Sequence, residues 1–193
     1  LPDTTTKAIF NIPARVSLSY FNEISDKFDI MFDYTFIKSS VMRELSVGFA
    51  VQKDSNGDSV VLSDAKIPLK WRDSYKTSLG LNYHYDSMTT FKTGIQFDKT
   101  PIPSKESRHP ALPESDRYMI SFGFNHKIND NISVDGAYSL LAFADSESEY
   151  RNNCRYDRPE GDAGPCTGIG GTFRGKFYDT YANILSLQIN SKY

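Results

Sequence analysis

The residues best suited to chemistry in this sequence are few and widely spaced. Cys154 and Cys166 lie in one polar segment, and a disulfide between them is the default in an oxidising compartment. Asp157, Glu160 and Asp162 lie between the two cysteines and have the oxygen atoms that a divalent cation prefers. Their spacing fits no EF-hand loop, so we expect a solvated acidic loop and no metal site.

The three histidines, His84, His109 and His126, fall in separate segments of the chain. A hydrolase needs a histidine within hydrogen-bond reach of a nucleophile such as Ser78. Ser78 and His84 belong to the same strand-like segment, where their spacing separates them by roughly 20 Å. The sequence therefore predicts no catalytic residue and no enzyme.

The elements that must position the remaining candidates are β-strands. In the segment KFDIMFDYTF, every second residue from Phe28 to Phe36 is apolar, and Asp29 and Asp33 lie between them. The same two-residue period recurs along the chain and predicts all-β structure. The predicted strands are about 14–21, 27–52, 72–85, 88–98, 116–127, 131–143 and 174–192. The apolar parity changes within 27–52, which we attribute to a β-bulge.

Composition alone would suggest a soluble protein. Mean hydropathy is −0.47, the formal charge is −2, and the chain has 12 Tyr and 13 Phe among its 193 residues. No apolar run is long enough for a transmembrane helix. The acidic balance excludes a nucleic-acid footprint. The many aromatic residues therefore belong on the apolar face of the predicted strands.

The connections between the strands decide which β architecture is expected. The turns NEISDK, YDSM and IND are short, whereas residues 53–71, 99–116 and 144–174 form long loops, and the two kinds alternate. This alternation predicts a transmembrane antiparallel up-and-down β-barrel of the bacterial outer membrane, with short periplasmic turns and long extracellular loops. A soluble sandwich has no reason to sort its loops in this way. Seven strands is an odd number, so closure requires further strands.

Two motifs in the proline-rich loop carry a family resemblance. Asp98–Pro103 reads D-x-T-P-I-P and Leu112–Arg117 reads L-P-x-x-D-R, with Arg108 between them. In this order they resemble the C-terminal half of the FadL family of outer-membrane long-chain fatty-acid transporters, and a weaker likeness covers nearly the whole chain. The resemblance implies that residues 1–193 form the C-terminal portion of a single barrel domain of about fourteen strands. The family's N-terminal hatch and first strands would precede Leu1.

Function must be argued from inward-facing side chains, because barrels serve as pores, enzymes and adhesins alike. Met119, Leu141 and Phe143 are apolar at positions where a water-filled pore needs polar residues. The IND turn places Met119 opposite Leu141 and Arg117 opposite Phe143. An apolar patch beside a cation suits a fatty acid, with the tail on the patch and the carboxylate on Arg117. The same side chains would equally pack against a plug or an inward loop.

Other charged residues have alternative roles. Lys76 and Lys92 also point inward; Lys76 faces Asp98, which predicts a salt bridge, whereas Lys92 has no obvious partner and is the better candidate for the head group. In the proline-rich loop, Asp98, Arg108, Asp116 and Arg117 are expected to tie the loop ends together by ion pairs rather than to contact a ligand.

The predicted function is passive uptake of long-chain fatty acids or similar hydrophobic molecules, without any cofactor. The expected partners are that hydrophobic ligand, outer-membrane lipid and lipopolysaccharide, with no nucleic acid and a monomeric state. The alternative is a surface adhesin or receptor that binds proteins through its extracellular loops.

Overall fold

The computed structural model describes residues 6–9, 11–49, 52–53, 59–60, 65–110, 114–152 and 171–192. The strands are β1 (Thr6–Ile9), β2 (Arg15–Ser25), β3 (Phe28–Ile37), β4 (Glu44–Phe49), β5 (Gln52–Lys53), β6 (Ser59–Val60), β7 (Ala65–Pro68), β8 (Ser74–His84), β9 (Thr89–Asp98), β10 (Arg117–Lys127), β11 (Ile132–Phe143), β12 (Ser146–Asn152), β13 (Gly171–Phe177) and β14 (Tyr181–Ser191). A 3-10 helix covers Ser39–Val41. The described part of the chain has no helix with the length and apolarity needed to span a membrane.

A central sheet of seven antiparallel strands dominates the structure. Its order is β14-β11-β10-β9-β8-β3-β2, so each strand pairs with the next central strand along the chain. The prediction of seven strands in up-and-down order is confirmed. The strands are ten to twelve residues long. That length matches a tilted bilayer crossing better than the shorter strands usual in soluble sheets.

The connections of the central sheet alternate in length as predicted. Residues 26–27, 85–88 and 128–131 are short turns at one end of the sheet, which we call the short-turn rim. Residues 38–73, 99–116 and 144–180 leave from the opposite end, the long-loop rim. Within the described residues, the most buried apolar side chains, Leu69, Ile102 and Tyr150, all belong to these long connections. The long connections therefore pack on one another beyond the sheet.

The prediction that 27–52 forms one bulged strand was wrong. β3 ends at Ile37, the 3-10 helix follows, and β4 pairs with β1 and β7 in a separate three-stranded sheet. The helical turn is held by Ser39, whose carbonyl accepts a hydrogen bond from the Met42 N–H at 2.9 Å and whose buried hydroxyl lies 3.1 Å from that of Ser74. A full turn of helix, rather than one inserted residue, accounts for the change of parity.

The last predicted strand, 174–192, is also interrupted. β13 ends at Phe177 and β14 begins at Tyr181, with Asp179 between them at a φ of 51°. β13 pairs with β12 rather than with the central sheet, from Ser146↔Phe177 to Asn152↔Gly171. The β12–β13 hairpin continues β11 and β14 beyond the long-loop rim.

The two faces of the central sheet differ in chemistry because apolar and polar residues alternate along each strand. One row of in-register neighbours reads Phe32, Leu79, Ile95 and Ile120, and these side chains are exposed. The next row, on the opposite face, reads Asp33, Ser78, Gln96 and Met119. We call the first the outer face and the second the inner face. An apolar face of this extent is what a lipid-facing barrel wall presents.

Aromatic residues cluster at both ends of the outer face. Near the long-loop rim the rings form a chain of neighbours, with centroid separations of 6.1, 5.9 and 5.2 Å along Tyr34, Tyr75, Phe97 and Tyr118. Near the short-turn rim the separations are 5.1, 6.4 and 6.2 Å along Phe28, Tyr83, Tyr85 and Phe91. Two aromatic belts flanking an apolar band are typical of an outer-membrane barrel, where they mark the two interfaces.

Site-directed spin labels test this assignment of faces. In membranes, labels on the outer face should be accessible to oxygen and shielded from a polar relaxation agent, whereas labels on the inner face should show the reverse. Suitable positions are Phe32, Leu81 and Phe122 on the outer face, each matched to its chain neighbour on the inner face: Asp33, Asn82 and Gly123. The same accessibility in the two members of each pair would contradict the membrane orientation.

Candidate functional site

The inner face of the central sheet is lined by polar side chains that bond across the strands. The hydroxyls of Ser121 and Ser139 lie 2.7 Å apart, and Asn125 donates to Asp135 at 2.9 Å. Asn190 on β14 donates to the second oxygen of the Asp135 carboxylate at 2.7 Å. Such ladders satisfy polar groups within the wall and favour a hydrated or ligand-binding lumen.

An apolar patch interrupts this polar face near the long-loop rim. Met119 pairs with Leu141, and Arg117 pairs with Phe143, so the predicted register is confirmed. Met119, Leu141 and Phe143 are each half-buried. The patch therefore offers apolar surface on the face where the neighbouring side chains are polar.

Arg117 lies beside this patch and already has acidic partners. Its Nη2 atom lies 2.8 Å from Asp98 Oδ2 and 3.3 Å from Glu114 Oε1. Lys76 is opposite Asp98 in the sheet, as predicted. The ion pair of Asp98, however, is with Arg117 rather than with Lys76. The predicted Lys76–Asp98 salt bridge was therefore wrong, and a ligand carboxylate would have to compete with two carboxylates for Arg117.

Lys92 has more open surroundings on the inner face. It is exposed, and its in-register neighbours are Asn82 on β8 and Gly123 on β10. Gly123 is in turn opposite Ala137, so small residues occupy the wall on that side of the lysine. An ammonium group in this position is accessible to an anionic ligand that enters the lumen.

A histidine–carboxylate cluster lies on the same face near the short-turn rim. Asp29 is 6% exposed, and its Oδ2 lies 2.8 Å from His84 Nε2 and 3.0 Å from Asn82 Nδ2. The other ring nitrogen of His84 lies 3.1 Å from the Thr90 hydroxyl. Sequence reasoning missed this cluster and considered Ser78 as the partner of His84. The alternation in β3 places Asp29 on the inner face and could have suggested it as a partner for His84. That pairing depends, however, on the β3–β8 register, which a long connection leaves undetermined in the sequence.

The proline-rich loop, residues 99–116, is tied at its two ends by Asp98, Asp116 and Arg117, as predicted, whereas the ion pair predicted for Arg108 is replaced by hydrogen bonds to backbone carbonyls. Asp116 lies 2.7 Å from the Lys99 ammonium and accepts the backbone N–H of Thr100 at 2.9 Å. The Arg117–Asp98 pair joins the strands immediately below these residues. These contacts connect the end of β9 to the start of β10 and limit the conformations of the loop between them.

Arg108 joins the middle of this loop to the β12–β13 hairpin. It is 8% exposed, and its guanidinium donates from Nε to the Glu114 carbonyl at 3.0 Å and from Nη1 to the Glu147 carbonyl. Its own carbonyl accepts the Ser148 hydroxyl at 2.6 Å. Burial lowers the pKa of Arg108, and the nearby Asp116 carboxylate opposes that shift. The loop is therefore packed against the hairpin rather than standing free.

Ion pairs reinforce the contact between loop and hairpin. Glu149 lies 2.6 Å from the Lys105 ammonium and 3.1 Å from Arg174 Nε, and Glu147 lies 2.8 Å from the Lys176 ammonium. Hydrogen bonds from these cations hold the pKa values of Glu147 and Glu149 below the usual value. A lowered carboxyl pKa means that the stabilising contribution is present at neutral pH and is lost as the pH falls through the folded-state pKa.

Acid should accordingly loosen the hairpin from the loop. The Glu149 amide, which donates to the Lys105 carbonyl at 2.9 Å, is a direct reporter. We expect its hydrogen-exchange protection factor, corrected for the intrinsic rate at each pH, to fall between pH 6 and pH 3. A variant carrying Glu147→Gln and Glu149→Gln should show a smaller change. Equal protection of the native chain at both pH values would contradict this role of the carboxylates.

Cys154, Cys166 and the acidic residues between them lie outside the described residues. The disulfide therefore stays a prediction. Among the predicted binding residues, the structure brings Arg117, Met119, Leu141 and Phe143 together and places Lys76 in the same row as Arg117. Lys92 lies further along the inner face, toward the short-turn rim.

Comparison with known proteins agrees with this architecture. A FadL homologue of Pseudomonas aeruginosa has a similar fold, with a TM-score of 0.73 over 96% of this chain and 37% of that structure at 22% identity. The CymD monoaromatic hydrocarbon channel is similar with a TM-score of 0.55 over 72% of this chain and 33% of that structure at 26% identity. This chain covers about a third of the length of each of these two structures.

Sequence comparison identifies the same group of proteins. The long-chain fatty acid transport protein of Escherichia coli O6:H1 is 29% identical over 131 residues, which make up 68% of this chain. The chain spans 27% of the length of that relative. The profile of the family described as outer membrane protein transport protein (OMPP1/FadL/TodX) matches residues 3–193. This chain of a bacterial outer-membrane β-barrel therefore belongs to the OMPP1/FadL/TodX family of outer membrane transport proteins.

Proposed function

We propose that this chain forms the C-terminal portion of a single barrel domain that takes up long-chain fatty acids, or similar hydrophobic molecules, by passive transport. The observation that supports this function is an inner face on which the apolar patch of Met119, Leu141 and Phe143 accompanies the open cation of Lys92. The long connections would be extracellular and the short turns periplasmic, as in other outer-membrane barrels. The hatch and the first strands would be supplied by residues outside this chain.

The spacing of the patch and the lysine suits an elongated amphiphile. Lys92 is opposite Gly123, which lies four residues along β10 from Met119. Four residues of a strand cover roughly 13 Å. Between these two levels the inner face has the small residues Gly94, Ser121 and Ser139. An acyl chain can lie along this wall with its tail on the patch and its carboxylate at Lys92.

Two classes of hydrophobic substrate make different demands on this site. A fatty acid needs a cation for its carboxylate, because an unpaired buried charge is costly. A neutral hydrocarbon, of the kind named for the similar CymD channel, needs only the apolar patch. The open position of Lys92 favours the fatty acid. Arg117 is a less suitable carboxylate ligand, since Asp98 and Glu114 already occupy it.

Binding of labelled oleate to the purified intact protein tests the proposal. Lys92→Ala should weaken oleate binding by roughly 1.5–3 kcal/mol, the scale of a hydrogen bond to a charged group. The same substitution should leave binding of oleyl alcohol, which has the same chain without the charge, nearly unchanged. Lys127→Ala, at an exposed lysine of the short-turn rim, provides the matched control. Unchanged oleate affinity in the Lys92→Ala protein would show that the head group is bound elsewhere.

A further inference from the structure

Lys92 lies between two aspartates on the inner face of the central sheet. Asp29 belongs to the same in-register row two strands away, with Asn82 between them. Asp135 is two strands away on the other side, and two residues nearer the short-turn rim than Ala137 of that row. Strand spacing and rise put the backbone of each acid roughly 10–12 Å from that of the lysine. A lysine has a long, flexible stem, so an ion pair on either side would be within its reach.

Asp29 is bound by its neighbours on the inner face instead. It is 6% exposed, and Asn82 Nδ2 donates to its Oδ2 at 3.0 Å. His84 Nε2 lies 2.8 Å from the same oxygen, and the second ring nitrogen lies 3.1 Å from the Thr90 hydroxyl, which orients the imidazole. The Asn82 residue thus binds the carboxylate and also lies between it and Lys92.

Asp135 is bound in a similar way, by amides from the strands on both sides. Asn125 on β10 donates to one carboxylate oxygen at 2.9 Å, and Asn190 on β14 donates to the other at 2.7 Å. A further acid in the row of Lys92, Glu23, is three strands away from the lysine. Among the residues that the structure describes, Lys92 has no carboxylate partner, although acids flank it.

We propose that Asn82 and His84, by holding Asp29 in place, keep a competing carboxylate away from the cation that receives the ligand. They act as positioning residues, and the ammonium group of Lys92 stays free for the fatty-acid carboxylate. This role rests on the transport function proposed above and deepens it. A lysine paired with a carboxylate of the wall would form a neutral unit and attract a second carboxylate only weakly. Arg117 is the contrasting case, because its guanidinium is already paired.

Releasing Asp29 in the intact protein tests this role. Asn82→Ala removes both the donor to the carboxylate and the side chain that lies between it and Lys92. We expect oleate to bind about fivefold more weakly, the scale of a solvent-accessible ion pair, and oleyl alcohol to bind as in the native protein. Adding Asp29→Asn to Asn82→Ala removes the competing charge and should restore oleate binding. A merely structural role of Asn82 would not be rescued by this second substitution.

Acetylation of Lys92 by an amine-reactive ester, in the absence of ligand, gives a measurement that does not depend on oleate. Only the uncharged amine reacts, and a carboxylate paired with the ammonium group stabilises the charged form. Asn82→Ala should therefore slow the acetylation of Lys92 about threefold, and the double variant with Asp29→Asn should regain the native rate. Peptide mass spectrometry measures the rate, with the exposed Lys127 as an internal standard.

Gln188→Ala is the matched control, because this inner-face amide donates to Asn190 rather than to a carboxylate. Oleate affinity and the acetylation of Lys92 should both be native in that variant. A native acetylation rate of Lys92 in the Asn82→Ala protein would overturn the proposal, and so would a loss of oleate binding that Asp29→Asn fails to restore. Failure of the transport function is distinguishable, because it would appear as native oleate affinity in the Lys92→Ala protein, whereas the acetylation rates still test the positioning of Asp29.

Discussion

Leu141→Asp is expected to abolish oleate uptake by cells that produce the full protein, while the barrel still assembles. The substitution places a carboxylate on the inner face directly opposite Met119, within the apolar patch. That carboxylate is left without a partner beside the acyl tail, and it removes apolar contact with the tail. Assembly survives because a lumenal position tolerates a charge that a lipid-facing position does not.

The matched control for this prediction is the adjacent residue. Leu140 faces outward in the row with Ile120, so Leu140→Asp places the same charge against lipid. We expect reduced surface expression for Leu140→Asp and native expression for Leu141→Asp, measured on intact cells in parallel with uptake. Normal oleate uptake by the Leu141→Asp protein would mean that the transported ligand does not use this patch.

Arg108→Ala is expected to release the proline-rich loop from the hairpin. The truncation removes the donors to the Glu114 and Glu147 carbonyls and leaves both partly buried groups without that partner. A cost of about 2–4 kcal/mol in the free energy of local opening is expected for such a loss. Hydrogen exchange of the loop amides, together with its rate of cleavage by protease, measures the change.

Two further variants separate the geometry of this guanidinium from its charge. Arg108→Lys keeps the positive charge but not the planar fork of donors, so its effect should be nearly as large. Arg151→Ala removes an exposed arginine of the same hairpin and should have little effect. If cleavage of the loop is as slow in Arg108→Ala as in the native protein, the contact between loop and hairpin does not depend on Arg108.

The features that sequence alone predicted are those with a local cause. The alternation of apolar and polar residues depends only on residues that are close in sequence. It was therefore enough to predict the central strands and the inner and outer faces of the sheet. The β10–β11 register followed from a short turn, which leaves little freedom, and it placed Met119 opposite Leu141 correctly. The ion pair at the ends of the proline-rich loop was also predictable. Asp98 is the last residue of β9 and Arg117 is the first residue of β10, and these consecutive strands had to be neighbours.

The features that escaped prediction depend on contacts across long connections. The change of parity after Phe36 has the same pattern whether a bulge or a helical turn causes it, and the contact of Ser39 with Ser74 decides between them. Asp29 and His84 meet only because β8 returns beside β3 after a long excursion. Arg117 could not be assigned between ligand and loop from its type alone, because its contact with Glu114, three residues earlier, depends on the local conformation at the end of the loop.

The direction of the two outermost strands limits how the sheet can be completed. Every central pairing is antiparallel, and six of them separate β2 from β14, so these two edges point the same way. If β2 paired directly with β14, the two strands would be parallel and their hydrogen bonds slanted. The same would hold where β14 of one copy paired with β2 of another, if two copies of this sheet were related by rotation about the pore axis. Only an odd number of additional strands between β2 and β14 closes the barrel with every strand pairing antiparallel.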